Sequence, residues 1–173
     1  IQGGVTTVET KSEMQYNSSG ELTGYRSHIQ RGSEAAYDIT LEDITYDSRG
    51  QMTSYKQTRR DSDGHLEIEL RSNMQYNSLG QLTSYDSRIL KAGQDTIRIE
   101  VRDLVYDGQG NVTSYTETTV RGGVTTTETR TDMQYNSLGQ LTSYRSHISR
   151  TAAEDQDIRV DNITYDSVGK MTG

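Results

Sequence analysis

Apolar and polar side chains alternate one by one along most of the chain, and a turn-forming cluster interrupts the alternation at a near-constant interval. Residues 74–85 read MQYNSLGQLTSY, and residues 133–144 repeat this almost letter for letter. Looser copies read YNSSGELTGY from Tyr16, YDSRGQMTSY from Tyr46, YDGQGNVTSY from Tyr106 and YDSVGKMTG from Tyr165. The leading tyrosines Tyr16, Tyr46, Tyr76, Tyr106, Tyr135 and Tyr165 are spaced by 30, 30, 30, 29 and 30 residues. A fixed period of this size marks a repeat array in which each copy buries its apolar surface against its neighbours.

In every copy Asn or Asp follows the tyrosine and glycine stands three positions later. Asn and Asp open type I turns by bonding to the backbone ahead, and glycine takes the left-handed position of the adjoining bulge. The pattern predicts six tight β-hairpins. Their recurring structural positions are Tyr16, Gly20, Leu22; Tyr46, Gly50, Met52; Tyr76, Gly80, Leu82; Tyr106, Gly110, Val112; Tyr135, Gly139, Leu141; and Tyr165, Gly169, Met171. With the turn glycine as bulge residue, Tyr16 faces Leu22, Gln15 faces Thr23 and Glu13 faces Tyr25. Opposed residues share a face, so Tyr16, Leu22 and Met14 cluster while Tyr25 points to the other side.

Counting by twos reaches a second apolar set. It comprises Ile29, Ile89 and Ile148 after the trailing tyrosines, and Ile39 with Leu41, Ile97 to Val101, and Ile158 with Val160 on incoming strands. These lie on the face opposite their own leading tyrosine unless a bulge near Asp43, Asp103 and Asn162 resets the parity. Leu66, Ile68 and Leu70 differ, sharing the parity of Met74. Copies one, three and five carry Met-Gln-Tyr-Asn, whereas two, four and six carry an aliphatic residue before Thr or Val and Tyr-Asp, so the unit reads as a pair of about 60 residues. The links at 31–34, 61–64, 92–95 and 122–123 are short and suit reversals. The expected fold is all-β: tandem antiparallel hairpins in one up-and-down meander of about twelve strands, an extended or superhelically coiled sheet. No helix is expected, since Thr, Val, Ile and Tyr dominate the periodic segments; residues 151–157 offer the one stretch for a helical turn or loose loop.

Composition narrows the function classes. The 173 residues are 30% hydrophobic and lack Phe, Trp, Pro and Cys, which is poor material for a thick core. Periodicity, abundant Thr and Tyr and a net charge of only −7 favour order over disorder. The 18 basic residues are scattered among 25 acidic ones, which argues against nucleic acid as a partner, and no apolar run is long enough for a membrane-spanning helix. IQGGVTTVET at Ile1 matches VRGGVTTTETR at Val120, so residues 1–173 read as one array cut from a longer repeat protein.

The hairpins YDSRGQMTSY and YDGQGNVTSY resemble the YD repeats of the RHS family of large secreted and surface proteins. That resemblance implies side-by-side hairpins in a long sheet, either a spiral shell around a cargo or toxin or an extended surface scaffold, and an extracellular or cell-surface location. The family has Arg after the turn glycine, where this chain has Glu21, Gln51, Gln81, Asn111, Gln140 and Lys170. The resemblance carries over no catalytic residues.

Candidate chemistry is sparse. Asp61-Ser62-Asp63-Gly64, with Glu67 nearby, looks like the start of a Ca²⁺ loop but lacks the further oxygen ligands, so a polar turn is the simpler reading. His28 and His147 occupy equivalent RSHI sites and His65 stands apart; they read as surface or cross-strand histidines rather than zinc or catalytic groups. The Thr-rich strands VTTVET and VTTTETR could present hydroxyl rows, but Glu9, Lys11 and Glu128 interrupt them. The tyrosines could form a carbohydrate platform, though they also serve as the apolar component of a thin sheet. Asn17, Asn111 and Asn162 begin Asn-x-Ser/Thr triplets. No nucleophile, base and orienting group recur together, so no catalytic, metal or cofactor residues are assigned. The expected function is that of a structural scaffold; alternatives are an adhesin or carbohydrate-binding module on a tyrosine-bearing face and a shell wall. Expected partners are neighbouring repeats and, through open edges, further copies of the chain.

Overall fold

The computed structural model describes residues 6–173. Residues 1–5, the start of the IQGGVTTVET segment, lie outside the described residues. Eleven strands follow in order: β1 (Thr7–Tyr16), β2 (Leu22–Arg31), β3 (Tyr37–Tyr46), β4 (Met52–Asp61), β5 (Leu66–Tyr76), β6 (Leu82–Lys91), β7 (Ile97–Tyr106), β8 (Val112–Arg121), β9 (Val124–Tyr135), β10 (Leu141–Arg150) and β11 (Gln156–Val160). Their order in the sheet is their order in the chain, an up-and-down meander with no helix among the described residues. The expected twelfth strand is reduced to an isolated bridge between Tyr165 and Met171. Residues 151–157 form a turn leading into β11, with Ala152 at φ 61°. Two compact units are built from these strands, one from residues up to Gln75 with Asp86–Ile97, the other from Tyr76–Tyr85 with Arg98–Gly173.

The hairpin turns follow the expected chemistry. The amide of Gly20 donates to Asn17 O at 3.0 Å, and Asn17 N donates to Glu21 O at 2.9 Å. The same pair of bonds recurs at Asp47, Asn77, Asp107, Asn136 and Asp166. The Asn17 side-chain oxygen accepts the amides of Ser19 and Glu21, both at 2.9 Å. In four of the turns the side chain after the glycine is matched to the turn residue: Asn77 Nδ2 donates to Gln81 Oε1 at 2.8 Å, as Asn17 and Asn136 do to Glu21 and Gln140, whereas Asn111 Nδ2 donates to Asp107 Oδ2 at 2.9 Å. At the opposite ends of the strands the reversals vary from one hairpin to the next. Asp61 builds another turn of the same kind, with Gly64 N on Asp61 O, and β8 joins β9 through Gly122 and Gly123, both at positive φ, as a two-residue hairpin requires.

A second irregularity occurs in every copy. Glu13, Asp43, Asn73, Asp103, Asp132 and Asn162, three residues before each leading tyrosine, all have φ between 52° and 58°. In the first unit Ser12 pairs with Arg26, Gln15 with Gly24 and Tyr16 with Leu22, so β1 carries one extra residue and β2 then carries one in return at Thr23. The same two shifts recur in β3 with β4, β7 with β8, and β9 with β10. In several copies the threonine of the trailing segment braces the second shift. Thr53 Oγ1 lies 2.7 Å from Thr45 Oγ1, Thr113 donates to Val105 O at 3.3 Å, and Thr142 donates to Gln134 O at 3.1 Å.

These paired bulges correct the face assignment. Glu13 does not face Tyr25, and Gln15 faces Gly24 rather than Thr23. Each bulge moves the alternation by one residue on its own strand. Along β7 the covered positions are Ile97, Ile99 and Val101, then Leu104 and Tyr106, while Arg98, Glu100, Asp103 and Val105 are exposed. Tyr25, Ile39 and Leu41 therefore share a face with Tyr16, Ile44 and Tyr46, because parity is reset in both strands of the hairpin. By the same reset, Leu66, Ile68 and Leu70 lie opposite Met74. One face collects most of the covered side chains, and among the described hydrophobic residues only Ile44 and Val101 are buried, each 4% exposed.

Candidate functional site

The leading tyrosine is a connector. Tyr46, Tyr106, Tyr135 and Tyr165 donate their phenol hydroxyls to the carbonyl oxygens of Leu22, Leu82, Val112 and Leu141, at 2.7, 2.7, 2.7 and 2.8 Å. Each acceptor stands at the start of the trailing strand in the preceding hairpin. Burial pushes the Tyr46, Tyr106 and Tyr135 phenols above their usual pKa, as expected for neutral donors packed on the sheet. Tyr16 stands outside this series: its ring is exposed and its hydroxyl lies 3.4 Å from Met14 Sδ.

The residues that interrupt the threonine rows prove to be a recurring polar set. Ser27, Ser87 and Ser146 are buried and donate to Glu9, Glu69 and Glu128 at 2.6, 2.8 and 2.5 Å. A cation two residues beyond each glutamate pairs with it: Lys11 at 3.7 Å, Arg71 at 2.9 Å and Arg130 at 2.8 Å. That cation also lies over tyrosine rings. Lys11 sits 4.9 Å from the Tyr25 centroid, Arg71 5.6 Å from Tyr55, and Arg130 5.9 and 4.7 Å from Tyr115 and Tyr144. The sequence period of about 60 residues is thus a chemical alternation. Strands of the Glu-x-Lys/Arg kind (β1, β5, β9) recur between strands of the Ile-x-Leu/Val kind (β3, β7). Searching for apolar periodicity misses this, although Glu9, Glu69 and Glu128 recur at equivalent repeat positions.

The other candidates resolve into local pairs. His28 Nδ1 lies 2.7 Å from Asp38 Oδ1, and His147 Nδ1 lies 2.8 Å from Asp157 Oδ1, each between directly opposed strand residues. The hydrogen bond to Asp157 raises the His147 pKa, with the Asp155 carboxylate adding to the effect. Asp61, Asp63 and His65 gather potential ligand atoms within 4.8 Å of one another. Asp61 already accepts the amides of Asp63 and His65 at 3.0 and 2.9 Å and faces His65 Nδ1 at 3.1 Å. Those bonds, led by the His65 amide, lower its pKa. Glu67 is engaged by Lys91 at 2.5 Å. The group therefore performs the work of an Asx turn. Threonine hydroxyls on β8 and β9 bond across the pair, Thr118 to Thr127 at 3.1 Å and Thr116 to Thr129 at 3.3 Å.

The assembled geometry gives turns, cross-strand braces, tyrosine latches between hairpins, and ion pairs along single strands. Comparison with family models, with curated proteins and with solved structures finds no match.

Proposed function

We propose that the chain is a structural scaffold, a repeat segment whose contribution is length and stiffness, and that its place is in a large secreted or surface protein of the YD-repeat kind. The observation that supports this reading most is the tyrosine latch. The side chain that recurs most regularly in the sequence spends its one polar group on the preceding hairpin, at Tyr46, Tyr106, Tyr135 and Tyr165. Recurring residues with ligand-directed roles would instead present free polar groups. The buried serines and their glutamates are also satisfied internally. An array built of equivalent joints can be lengthened or shortened by whole units, because stability is a sum of local and nearest-neighbour terms.

The test is excision of residues 47–106, which joins Tyr46 to Asp107 in the same repeat frame. The shortened chain should fold with a sheet-type circular dichroism spectrum and a urea m-value reduced in proportion to the lost surface. Loss of folding on removal of one pair would sink the modular scaffold reading. Specific, saturable capture of a glycan by the full chain, abolished by substitutions of the trailing tyrosines, would instead favour a binding module.

A further inference from the structure

We infer that the outer face of β5 is a docking site for an acidic amphipathic helix, a polypeptide partner that presents an aliphatic stripe between two rows of carboxylates. The side chains that build the site are Leu66, Ile68 and Leu70 of β5, Leu90 of β6, and the flanking Arg60 and Arg88.

The chain itself shows that the fold does not require these aliphatic residues. β1, β5 and β9 are equivalent strands, aligned by Glu9, Glu69 and Glu128. At the places of Leu66, Ile68 and Leu70 the first copy has Thr6, Val8 and Thr10, and the fifth has Thr125, Thr127 and Thr129. With threonine at all three, β9 still forms a strand of 12 residues paired along both edges. Hydroxyl bonds from Thr118 to Thr127 and from Thr116 to Thr129 satisfy the face there. In β5 the corresponding positions Ile68 and Leu70 meet Thr58 and Lys56 across the pair, and apolar side chains take the place of those bonds.

These residues also lie off the covered face. Glu67 and Glu69, which alternate with them, meet Lys91 and Ser87 of β6, so Leu66, Ile68 and Leu70 project from the opposite side. By the same alternation Arg88 and Leu90 project there from β6. Leu70 is 36% exposed, and Leu66, Ile68 and Leu90 are half-buried. A contiguous aliphatic strip on an otherwise polar face marks a contact surface, unlike apolar residues scattered singly.

Charge selects the occupant. Arg60 is the register partner of Leu66 on β4, and Arg88 borders the strip on β6. Both are exposed, and neither has an ion-pair partner among the described residues. The carboxylates Glu42 and Asp86 are already engaged, by Lys56 at 3.0 Å and by Asn73 at 2.6 Å. A second copy of the strip would set arginines against arginines, so the complement is a partner with acidic flanks. The strip follows one strand for about 13 Å, which matches roughly two and a half turns of a single helix. The inference goes beyond the scaffold reading and does not depend on it.

The test uses the whole 173-residue chain and a fluorescently labelled peptide of about four helical turns, with leucines on one face and glutamates on both flanks. A counterpart carries lysines in place of the glutamates. Anisotropy should show saturable binding of the glutamate peptide and none of the lysine peptide. Replacing Leu66, Ile68 and Leu70 together by Thr copies the β9 pattern. It should weaken binding about tenfold, as expected when several apolar side chains leave a contact, with the sheet-type circular dichroism retained. Arg60→Glu combined with Arg88→Glu leaves the aliphatic strip intact and should shift the preference to the lysine peptide. Three outcomes overturn the inference: no saturable binding of the glutamate peptide at millimolar concentration, equal binding of the two peptides, or binding that neither set of substitutions changes. Attachment of the chain to phosphatidylserine vesicles in place of the peptide overturns it too, and would assign the strip to a membrane surface.

Discussion

The phenol hydroxyl of Tyr106 donates to the carbonyl oxygen of Leu82, 24 residues earlier, at 2.7 Å. Tyr106→Phe keeps the ring and removes this bond, leaving the carbonyl without that donor. The expected cost is about 1 kcal/mol, read as a lower urea midpoint at unchanged m-value. Tyr16→Phe is the internal control, since its hydroxyl makes no such link. Equal midpoints for the two variants would remove the latch from the stability account.

The latch was only half legible in the sequence. A chain with 12 Tyr and no Phe already signals that the hydroxyl matters, but its acceptor is a backbone carbonyl in another hairpin, which no local pattern names. The turns were fully legible, because Asn or Asp followed three residues later by Gly is demanded by bonds within five residues. The bulges lay between these cases. Asp43, Asp103 and Asn162 marked where parity could reset, yet the regularity across all six copies emerges only with the backbone angles. Without it, alternation alone places Tyr25 on the wrong face. The Ser-Glu-cation set escaped because polar residues at an interval of two repeats look like breaks in an apolar or hydroxyl row.

Gly110 has φ 87°, and a Cβ built there would meet nothing closer than Gln81 Nε2 at 3.9 Å. Space is not the constraint; the left-handed backbone is. Gly110→Asn is expected to be tolerated, since Asn visits this region, whereas Gly110→Val should cost roughly 1–2 kcal/mol or more. Matching melting temperatures for the two variants would show that the turn relaxes to another conformation.

Glu13 occupies the left-handed bulge position at φ 53°, where other copies have Asp or Asn. Long side chains gain nothing local from that conformation, whereas Asn bonds to nearby backbone and accepts it readily. Glu13→Asn removes an exposed ion pair with Arg26 at 3.2 Å, an interaction of little weight in solvent. The net expectation is stabilisation by about 0.5 kcal/mol, measured by urea denaturation. A lower midpoint would mean that the Arg26 pair outweighs the backbone gain.

His147 offers the clearest pH dependence. Its Nδ1 lies 2.8 Å from Asp157 Oδ1 and its Nε2 3.7 Å from Asp155 Oδ2, and the bond to Asp157 raises its pKa above the usual histidine value of about 6.5. The folded chain thus holds the imidazole proton more tightly than the unfolded chain does. The stabilisation is fully present below the unfolded value and is lost as pH rises through the folded one. Both side chains are exposed, so the effect on melting is small and falls further in salt. The sharper reading is a proton NMR titration of His147. In the parent chain its midpoint should lie above that of a model imidazole, and Asp157→Asn should bring it back towards the ordinary value, leaving only the weaker pull of Asp155. An unchanged midpoint in Asp157→Asn would show that the cross-strand pair does not persist in solution.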